Sequence, residues 1–326
     1  IIKENSRNPA TEFFNSLVWD GTPRLDSWLT TYLHCTKDNQ DYVSAVGRKW
    51  LVAAVARVFH AGTKFDHMLI LEGKQRIGKS LALRELATFR GKSFFLDTVR
   101  IGNLGERDTT LKMQGKIIIE FAELTGMQKA DIAALKQTIT TQDDSCRLNY
   151  SNSISVFPRQ FVFAGTYNPD GTGIFSDPTG NERFWVVEVG DTLDIAGLIR
   201  DKEQLWAEAV EVFKKGEKLY LEGDVAERAK EAQEFRMSEV PWADDLEPLI
   251  HGRQVVYVKD IWKGLGVTDV TKKTRPFQNE ISRVMAKSGF QKVRLRREGG
   301  LEYAWRRIDT RLPHEEPEPE EEQLEF

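Results

Sequence analysis

A glycine-rich octapeptide lies between an apolar run and a helical pattern in the first third of the chain: Gly73-Lys74-Gln75-Arg76-Ile77-Gly78-Lys79-Ser80. In a loop of this kind, glycines let successive backbone N–H groups converge on phosphate oxygens. The lysine brings a charge to the outer phosphates, and the serine hydroxyl binds Mg²⁺. These eight residues therefore predict a phosphate cradle for ATP and Mg²⁺, in which Lys79 and Ser80 contact the nucleotide and the metal.

Strand patterns alternate with helical patterns around this 73–80 loop. Strands are predicted at 67–71, 93–96, 116–121, 159–164 and 184–189, and helices at 41–60, 80–88, 128–141, 198–215 and 224–236. Such alternation predicts an α/β fold in which helices cover both faces of a mostly parallel sheet. Because ligands of these folds bind at the carboxyl ends of the strands, the 73–80 loop falls at the expected place.

Two carboxylates follow the Ile117-Ile118-Ile119 run. Glu120 ends that strand, and Glu123 lies just beyond it. An unpaired carboxylate is costly to bury, so a functional role is favoured over a solvated side chain. Glu120 suits a metal ligand for Mg²⁺ and Glu123 suits the catalytic base, but the sequence leaves open an exchange of these two roles.

Polar residues also flank two later strands. Asn168 lies where an amide would contact the attacking water and the outer phosphate, although it precedes a proline and could instead serve a turn. Arg183 begins the last strand of the core, which suits an arginine finger supplied by a neighbouring subunit. A surface ion pair is the alternative role for Arg183.

Together, these segments resemble the virulence-associated protein E family, P-loop ATPases that are close to the superfamily 3 viral helicases and are often fused to primases. The resemblance runs from about residue 8 to about residue 242. It rests on Trp19-Asp20-Gly21 with Arg24-Leu25, the 73–80 loop, Glu120 and Glu123, Arg147 to Tyr150, Pro158-Arg159 before Gly165-Thr166-Tyr167-Asn168, and Gly180 to Trp185. Tyr167 is a departure, because a smaller residue is more usual there.

The resemblance implies an AAA-like ATPase core that assembles into a ring, expected to be a hexamer, on DNA. It also implies the roles of single residues: Lys79 and Ser80 for phosphate and metal, Glu120 and Glu123 as the acidic pair, Asn168 as the sensor, and Arg183 as the finger acting across the subunit boundary. A primase or polymerase domain upstream of this chain is a further expectation.

A hairpin is predicted ahead of the sensor strand. In the related helicases such a hairpin carries basic and aromatic side chains into the pore of the ring, and Arg147, Tyr150 and Arg159 resemble it. Arginine and tyrosine suit single strands because a phosphate contact and a ring stacked on a base grip without sequence preference. A solvated edge hairpin is the alternative.

The C-terminal third is strongly basic before it becomes acidic. Residues 251–308 hold 14 lysines and arginines against five acids, whereas residues 309–326 hold eight acids and one arginine. Two helical patterns followed by a basic hairpin look like a winged helix, in which a recognition helix and a wing contact DNA. The predicted DNA contacts are Arg275, Arg283, Lys287, Arg294, Arg296 and Arg306. A unit that only packs against neighbours is the alternative.

The predicted organisation is an N-terminal helical segment (1–62), a P-loop ATPase core (63–240), a basic winged-helix-like domain (241–308) and an acidic disordered tail (309–326). No apolar stretch is long enough for a membrane span, no secretion signal is visible, and the two cysteines are too few for a disulfide framework. We therefore expect a cytoplasmic protein with no membrane partner. No Asn-Lys-x-Asp motif for guanine is present, which disfavours a GTPase.

These features predict an ATP-dependent, ring-forming DNA helicase or translocase that acts on single-stranded or forked DNA in the replication of a phage or mobile genetic element. The alternative is an ATP-switched origin-binding or replisome-recruiting protein without unwinding activity. A defence-system effector also remains open within the ATPase class.

Overall fold

The computed structural model describes residues 8–122, 124, 129–149, 152–169, 181–235, 243–267, 278, 281–282, 284–286, 288–297 and 300–308. The chain divides into two compact units, residues 1–238 (unit 1) and residues 239–326 (unit 2). Among the helices in these described stretches, none is both long enough and apolar enough to cross a membrane.

Unit 1 is a mixture of helices and short strands. Its helices are α1 (Pro9–Asn15), α2 (Trp28–Leu33), α3 (Gln40–Phe59), α4 (Lys79–Leu86), α5 (Arg107–Met113), α6 (Lys129–Thr140), α7 (Ile195–Lys214) and α8 (Gly223–Phe235), with 3-10 turns at Ile101–Asn103 and Asn181–Arg183. Its strands are β1 (Met68–Glu72), β2 (Thr88–Phe89), β3 (Lys92–Ser93), β4 (Phe95–Leu96), β5 (Ile118–Phe121), β6 (Asp143–Arg147), β7 (Ile154–Pro158), β8 (Val162–Tyr167) and β9 (Phe184–Glu188).

A five-stranded sheet forms the centre of unit 1. Its strands follow the order β4-β5-β8-β1-β9, and each neighbouring pair is parallel. Strands β5 and β8 are buried along their whole length, as parallel strands covered on both faces should be. The predicted mixed α/β fold with a parallel central sheet is therefore confirmed.

Alternate side chains of the sheet enter two hydrophobic cores, one on each face. In β1, Leu69 and Leu71 join the core that contains side chains of α3, α4 and α7. Met68 and Ile70 join the core that contains side chains of α6. This burial on both faces explains why the strands are continuous apolar runs instead of alternating patterns.

Helix α3 packs directly on the sheet. Its N-cap residue, Asn39, accepts hydrogen bonds from the backbone N–H groups of Asp41 and Tyr42, which fixes the start of the helix. Farther along, the Trp50 indole donates to the Phe163 carbonyl of β8 at 2.9 Å. The helix and the sheet are therefore joined by a buried polar contact as well as by apolar packing.

Strand β8 begins three residues later than its predicted span of 159–164. The backbone N–H of Arg159 donates to the Gln142 carbonyl at 3.0 Å, directly after β7 ends at Pro158. The chain therefore turns before it enters the sheet.

Unit 2 is built around a three-stranded antiparallel sheet. Its described elements are α9 (Ala243–Ile250), β10 (Val255–Tyr257), α10 (Val258–Gly264), β11 (Phe290–Arg297) and β12 (Gly300–Arg307), with strand order β10-β12-β11. Trp305, Phe290, Ile261 and Leu246 belong to its hydrophobic core. The predicted basic hairpin is thus present as β11 and β12, whereas helix α9 and the short strand β10 were not predicted.

Candidate nucleotide site and nucleic-acid interface

The 73–80 loop and Asn168 meet at the carboxyl ends of the adjacent strands β1 and β8. After β1 the chain continues to β4 at one edge of the sheet, whereas after β8 it continues to β9 at the other edge. Adjacent parallel strands whose connections run in opposite directions leave a crevice at their carboxyl ends, which is where open α/β sheets bind ligands. The Gly73 N–H donates to the Tyr167 carbonyl at 3.1 Å and joins the two strand ends.

Glycine is required at two positions of the loop. A Cβ on Gly73 would lie 2.7 Å from the Val189 Cγ2 atom, closer than packed atoms approach. Gly78 has a φ of 100° immediately before α4, and Arg76 also takes a positive φ of 64°. The loop therefore turns tightly into the N-terminus of α4, where backbone N–H groups attract anions.

Lys79 is buried inside the loop. Its side chain Nζ donates to the carbonyls of Gly73 and Lys74, both at 2.6 Å, and to Asn168 Oδ1 at 2.8 Å. Burial lowers the pKa of the Lys79 ammonium, and the charge of Glu120 opposes that shift. The cation is thus held between the loop and the end of β8, at the position from which it could turn to a phosphate.

Glu120 is fully buried beside Ser80. Its Oε1 accepts hydrogen bonds from the Ser80 hydroxyl at 2.6 Å and from the Thr166 hydroxyl at 2.9 Å. Its Oε2 is buried and has no hydrogen-bond partner among the described residues. Burial raises the pKa of Glu120, whereas the two hydroxyl donors lower it.

A divalent cation fits this pair of oxygen ligands. Mg²⁺ prefers carboxylate and hydroxyl oxygens, and it usually takes only one or two protein carboxylates together with waters and substrate phosphates. The partnerless Oε2 of Glu120 and the adjacent Ser80 hydroxyl match that requirement. Within the described stretches no cluster of three or more His, Cys, Asp or Glu residues could hold a metal alone.

Thr166 is a site residue that the sequence analysis did not identify. It lies on β8 two residues before Asn168 and hydrogen-bonds the buried carboxylate of β5. A threonine inside an otherwise apolar strand was the available signal, because a buried hydroxyl needs a polar partner. Glu123, the second predicted carboxylate, lies outside the described residues.

Arg183 lies at the amino-terminal end of β9, whereas the 73–80 loop follows the carboxyl end of the neighbouring strand β1. It closes a 3-10 turn just before β9, whose first residue is in register with Met68 at the start of β1. Arg183 is therefore level with His67, six residues before Gly73, or roughly 20 Å away at about 3.3 Å per strand residue. Its side chain pairs with Glu182 at 2.6 Å. The structure does not bring Arg183 to the loop of its own chain.

The predicted hairpin forms from β6 and β7. Arg147 is exposed at the end of β6, in register with the exposed Ile154. Arg107 donates a hydrogen bond to the Asn149 side chain, which ties the hairpin to α5. Tyr150 lies outside the described residues.

Arg159 corrects the predicted set of DNA contacts. It is only 3% exposed, and its guanidinium forms a two-pronged ion pair with Asp144 at 2.7 and 3.0 Å. It also donates to the carbonyls of Thr138 and Thr141 and lies over the Phe161 ring. The prediction that Arg159 grips DNA is wrong, because its donors hold α6, the hairpin and the sheet together.

The basic hairpin of unit 2 separates the predicted arginines. Arg294 and Arg296 are exposed and lie on one face of β11. Arg306 is in register with Gln291, so its side chain points to the opposite face. These three residues therefore do not form one contact surface. Arg275, Arg283 and Lys287 lie outside the described residues.

A family model described as the virulence-associated protein E-like domain matches residues 14–238. Among solved structures, an A-form apo structure of the NrS-1 C-terminal region is similar, with a TM-score of 0.48 and 15% identity, covering 90% of this chain and 78% of that chain. Another apo structure of that region has a TM-score of 0.45 and 14% identity, covering 90% and 77%. No curated protein matches the sequence of this chain significantly.

Proposed function

Because the chain belongs to the virulence-associated protein E-like family, we propose that it is an ATP- and Mg²⁺-dependent DNA helicase or translocase that works as a ring in the replication of a phage or mobile element. In this proposal residues 63–240 form a P-loop core of the AAA-like class, and residues 241–308 form a winged-helix-like DNA-binding domain. The observation that carries the proposal is the meeting of Lys79, Asn168 and Glu120 at the crevice between β1 and β8.

Lys79 is the proposed ligand of the outer phosphates. Without nucleotide, its ammonium is held by two loop carbonyls and by the Asn168 amide oxygen. A triphosphate in the loop would offer anionic oxygens in place of these neutral acceptors, and charge-assisted hydrogen bonds are the stronger ones. Asn168, at the end of β8 and beside Lys79, is the proposed residue that orients the attacking water.

Ser80 and Glu120 are the proposed metal ligands. Mg²⁺ held by Ser80 and Glu120 would supply positive charge that offsets the negative charge of the phosphates. Glu120 would gain a partner for its second oxygen, and Ser80 would keep the carboxylate oriented. Because Glu120 is occupied in this way, we assign the role of catalytic base to Glu123.

Arg183 is the proposed finger and acts on a neighbouring subunit. It lies roughly 20 Å along the sheet from the loop of its own chain, beyond the reach of an arginine side chain. If Arg183 stabilises transition-state charge, the site must therefore belong to another copy of the chain. This geometry favours a ring over a monomeric enzyme.

The test is hydrolysis and strand separation by subunit mixtures. Lys79→Ala should abolish turnover without unfolding the chain, and an unchanged rate would contradict the site. Arg183→Ala alone should also be inactive, but mixing it with Lys79→Ala should restore part of the activity, since one mixed interface then has both residues intact. Failure of the mixture to recover would refute the action between subunits, and slow hydrolysis without strand separation would favour the ATP-switched alternative.

A further inference from the structure

The hairpin of β11 and β12 carries a mixed basic and aromatic surface at its outer end. In the register of the two strands, Lys292 lies opposite Trp305, Arg294 opposite Tyr303, and Arg296 opposite Leu301. Directly opposed residues of an antiparallel pair share a face. The exposed members of this face, Lys292, Arg294, Arg296, Leu301 and Tyr303, are called the ribbon platform below.

The ribbon platform is exposed because the hairpin extends beyond the core of unit 2. Nearer the base of the hairpin, Phe290 and Trp305 of the same face are buried in that core. Beyond them, Tyr303 is 49% exposed and Leu301 is 71% exposed. Two apolar side chains therefore stand in solvent among three cations.

The cations of the platform are arranged around the Tyr303 ring. The Arg294 guanidinium lies 4.6 Å from the ring centroid, and the Lys292 ammonium lies 5.1 Å from it. Arg294 also donates to the Tyr303 hydroxyl, which limits rotation of both side chains. These contacts hold a flat ring and a flat guanidinium in place before any ligand arrives.

The described residues of this face carry only positive charge or none. None of its described positions is acidic, and Glu302 lies on the other face, where it pairs with Lys259 at 2.6 Å. The platform therefore keeps its positive charge uncompensated by the described residues of the hairpin. Its ligand should be an anion that also offers flat apolar surfaces.

We propose that the ribbon platform binds single-stranded DNA, with Tyr303 stacking on an unpaired base and Arg294 and Arg296 contacting the flanking phosphates. A backbone-only contact would use the cations but would leave the exposed Tyr303 and Leu301 without a role. A base inside a duplex is already stacked on its neighbours, so only a single strand presents a free base face to the tyrosine. This inference rests on the DNA-binding part of the proposed function and adds to it a base-stacking residue.

The experiment compares two strands that differ only in their bases. The full chain is titrated, without nucleotide, with an oligothymidylate and with an abasic strand of the same length and phosphate number. Stacking on one base changes affinity by roughly 5- to 150-fold. Tyr303→Ala should weaken binding of the oligothymidylate by at least about fivefold and leave the abasic strand unchanged, whereas Tyr303→Phe should behave like the wild type.

Matched variants separate stacking from charge. Tyr220 is also 49% exposed, with the Lys218 ammonium 5.6 Å from its ring centroid, but that lysine is paired with Glu222. Tyr220→Ala should therefore leave both affinities unchanged. Arg296→Gln should weaken binding of both strands alike. It should also reduce the slope of log affinity against log salt concentration by about 0.7 per lost phosphate contact.

The proposal is overturned if Tyr303→Ala lowers the affinity for both strands equally or for neither. It is also overturned if the variant loses as much affinity for duplex DNA as for the oligothymidylate. ATP hydrolysis without DNA is measured on the same samples and should not respond to Tyr303→Ala. A chain that hydrolyses no ATP but shows the base-dependent loss would refute the motor and support the platform. A working ATPase without that loss would refute the platform alone.

Discussion

Replacing Glu120 with glutamine is expected to stabilise the nucleotide-free protein and to abolish ATP hydrolysis. Glu120 is fully buried, with hydroxyl donors on Oε1 and no partner for Oε2 among the described residues. Glutamine keeps the shape and one accepting oxygen but carries no charge, so the cost of burying an ionised carboxylate disappears. The same change removes the anionic oxygen proposed to bind Mg²⁺.

The magnitude follows from the contacts of Glu120. An unsatisfied buried polar group costs about 1–3 kcal/mol and more when it is charged, but the glutamine NH₂ group would retain part of that cost. We expect Glu120→Gln to raise the free energy of unfolding without Mg²⁺ by about 1–2 kcal/mol. For a unit of this size, the melting temperature should rise by roughly 2–8 °C.

The stabilisation should depend on pH. Burial raises the pKa of Glu120, so the folded state binds its proton more tightly than the unfolded state does. In the wild type, the resulting stability is complete below the ordinary glutamate pKa and is lost as the pH rises through the raised value. The advantage of Glu120→Gln should therefore be present at neutral pH and vanish in acid.

Thermal unfolding in chelator, over a pH series, and Mg²⁺-dependent ATP hydrolysis provide the assay. Glu188→Gln is the matched control. Glu188 ends β9, the edge strand next to β1, and pairs with Lys37 instead of lying buried beside the loop. The control should keep its hydrolysis rate and gain no stability. A Glu120→Gln protein that melts below the wild type in chelator, or that hydrolyses ATP at the wild-type rate, would refute the reasoning.

Three further outcomes are expected. Gly73→Ala places a Cβ 2.7 Å from Val189 Cγ2, and because such overpacking costs about 1–3 kcal/mol, it should weaken binding of a fluorescent ATP analogue roughly tenfold. Gly102→Ala, with open space around its Cβ, should leave that affinity unchanged, and equal affinities of the two variants would contradict the loop geometry. Arg183→Ala should lose hydrolysis but retain ATP affinity in the same binding assay, and a parallel loss of affinity would argue against a finger. Arg159→Ala leaves Asp144, whose side chain is 11% exposed, without its ion-pair partner. It should cost about 3 kcal/mol in denaturant unfolding, while the DNA affinity of the folded protein stays unchanged.

The parts of the molecule that depend on local chemistry could be predicted from sequence. The 73–80 loop needs glycines at fixed positions, because Gly73 has no room for a Cβ and Gly78 has a positive φ. The continuous apolar runs of β1 and β5 could be recognised because parallel strands are buried on both faces. The meeting of Lys79 with Asn168 then follows from the position of both residues after neighbouring strands.

The parts that depend on long-range packing could not be predicted. Arginine is a residue type that often contacts DNA, but only the fold reveals that the Arg159 guanidinium already donates to Asp144 and to two backbone carbonyls. The face on which Arg306 lies depends on strand register, which a shift of one residue would reverse. Thr166 was overlooked because its importance comes from Glu120 on another strand.

The most direct test of the central claim is ATP hydrolysis by the full chain, with and without single-stranded DNA, while the mass of the assembly is read in the same buffer. We expect Mg²⁺-dependent turnover by a ring-sized assembly, strong stimulation by the DNA, and loss of both in Lys79→Ala. Absence of turnover, or turnover by a monomer that ignores DNA, would contradict the proposed motor.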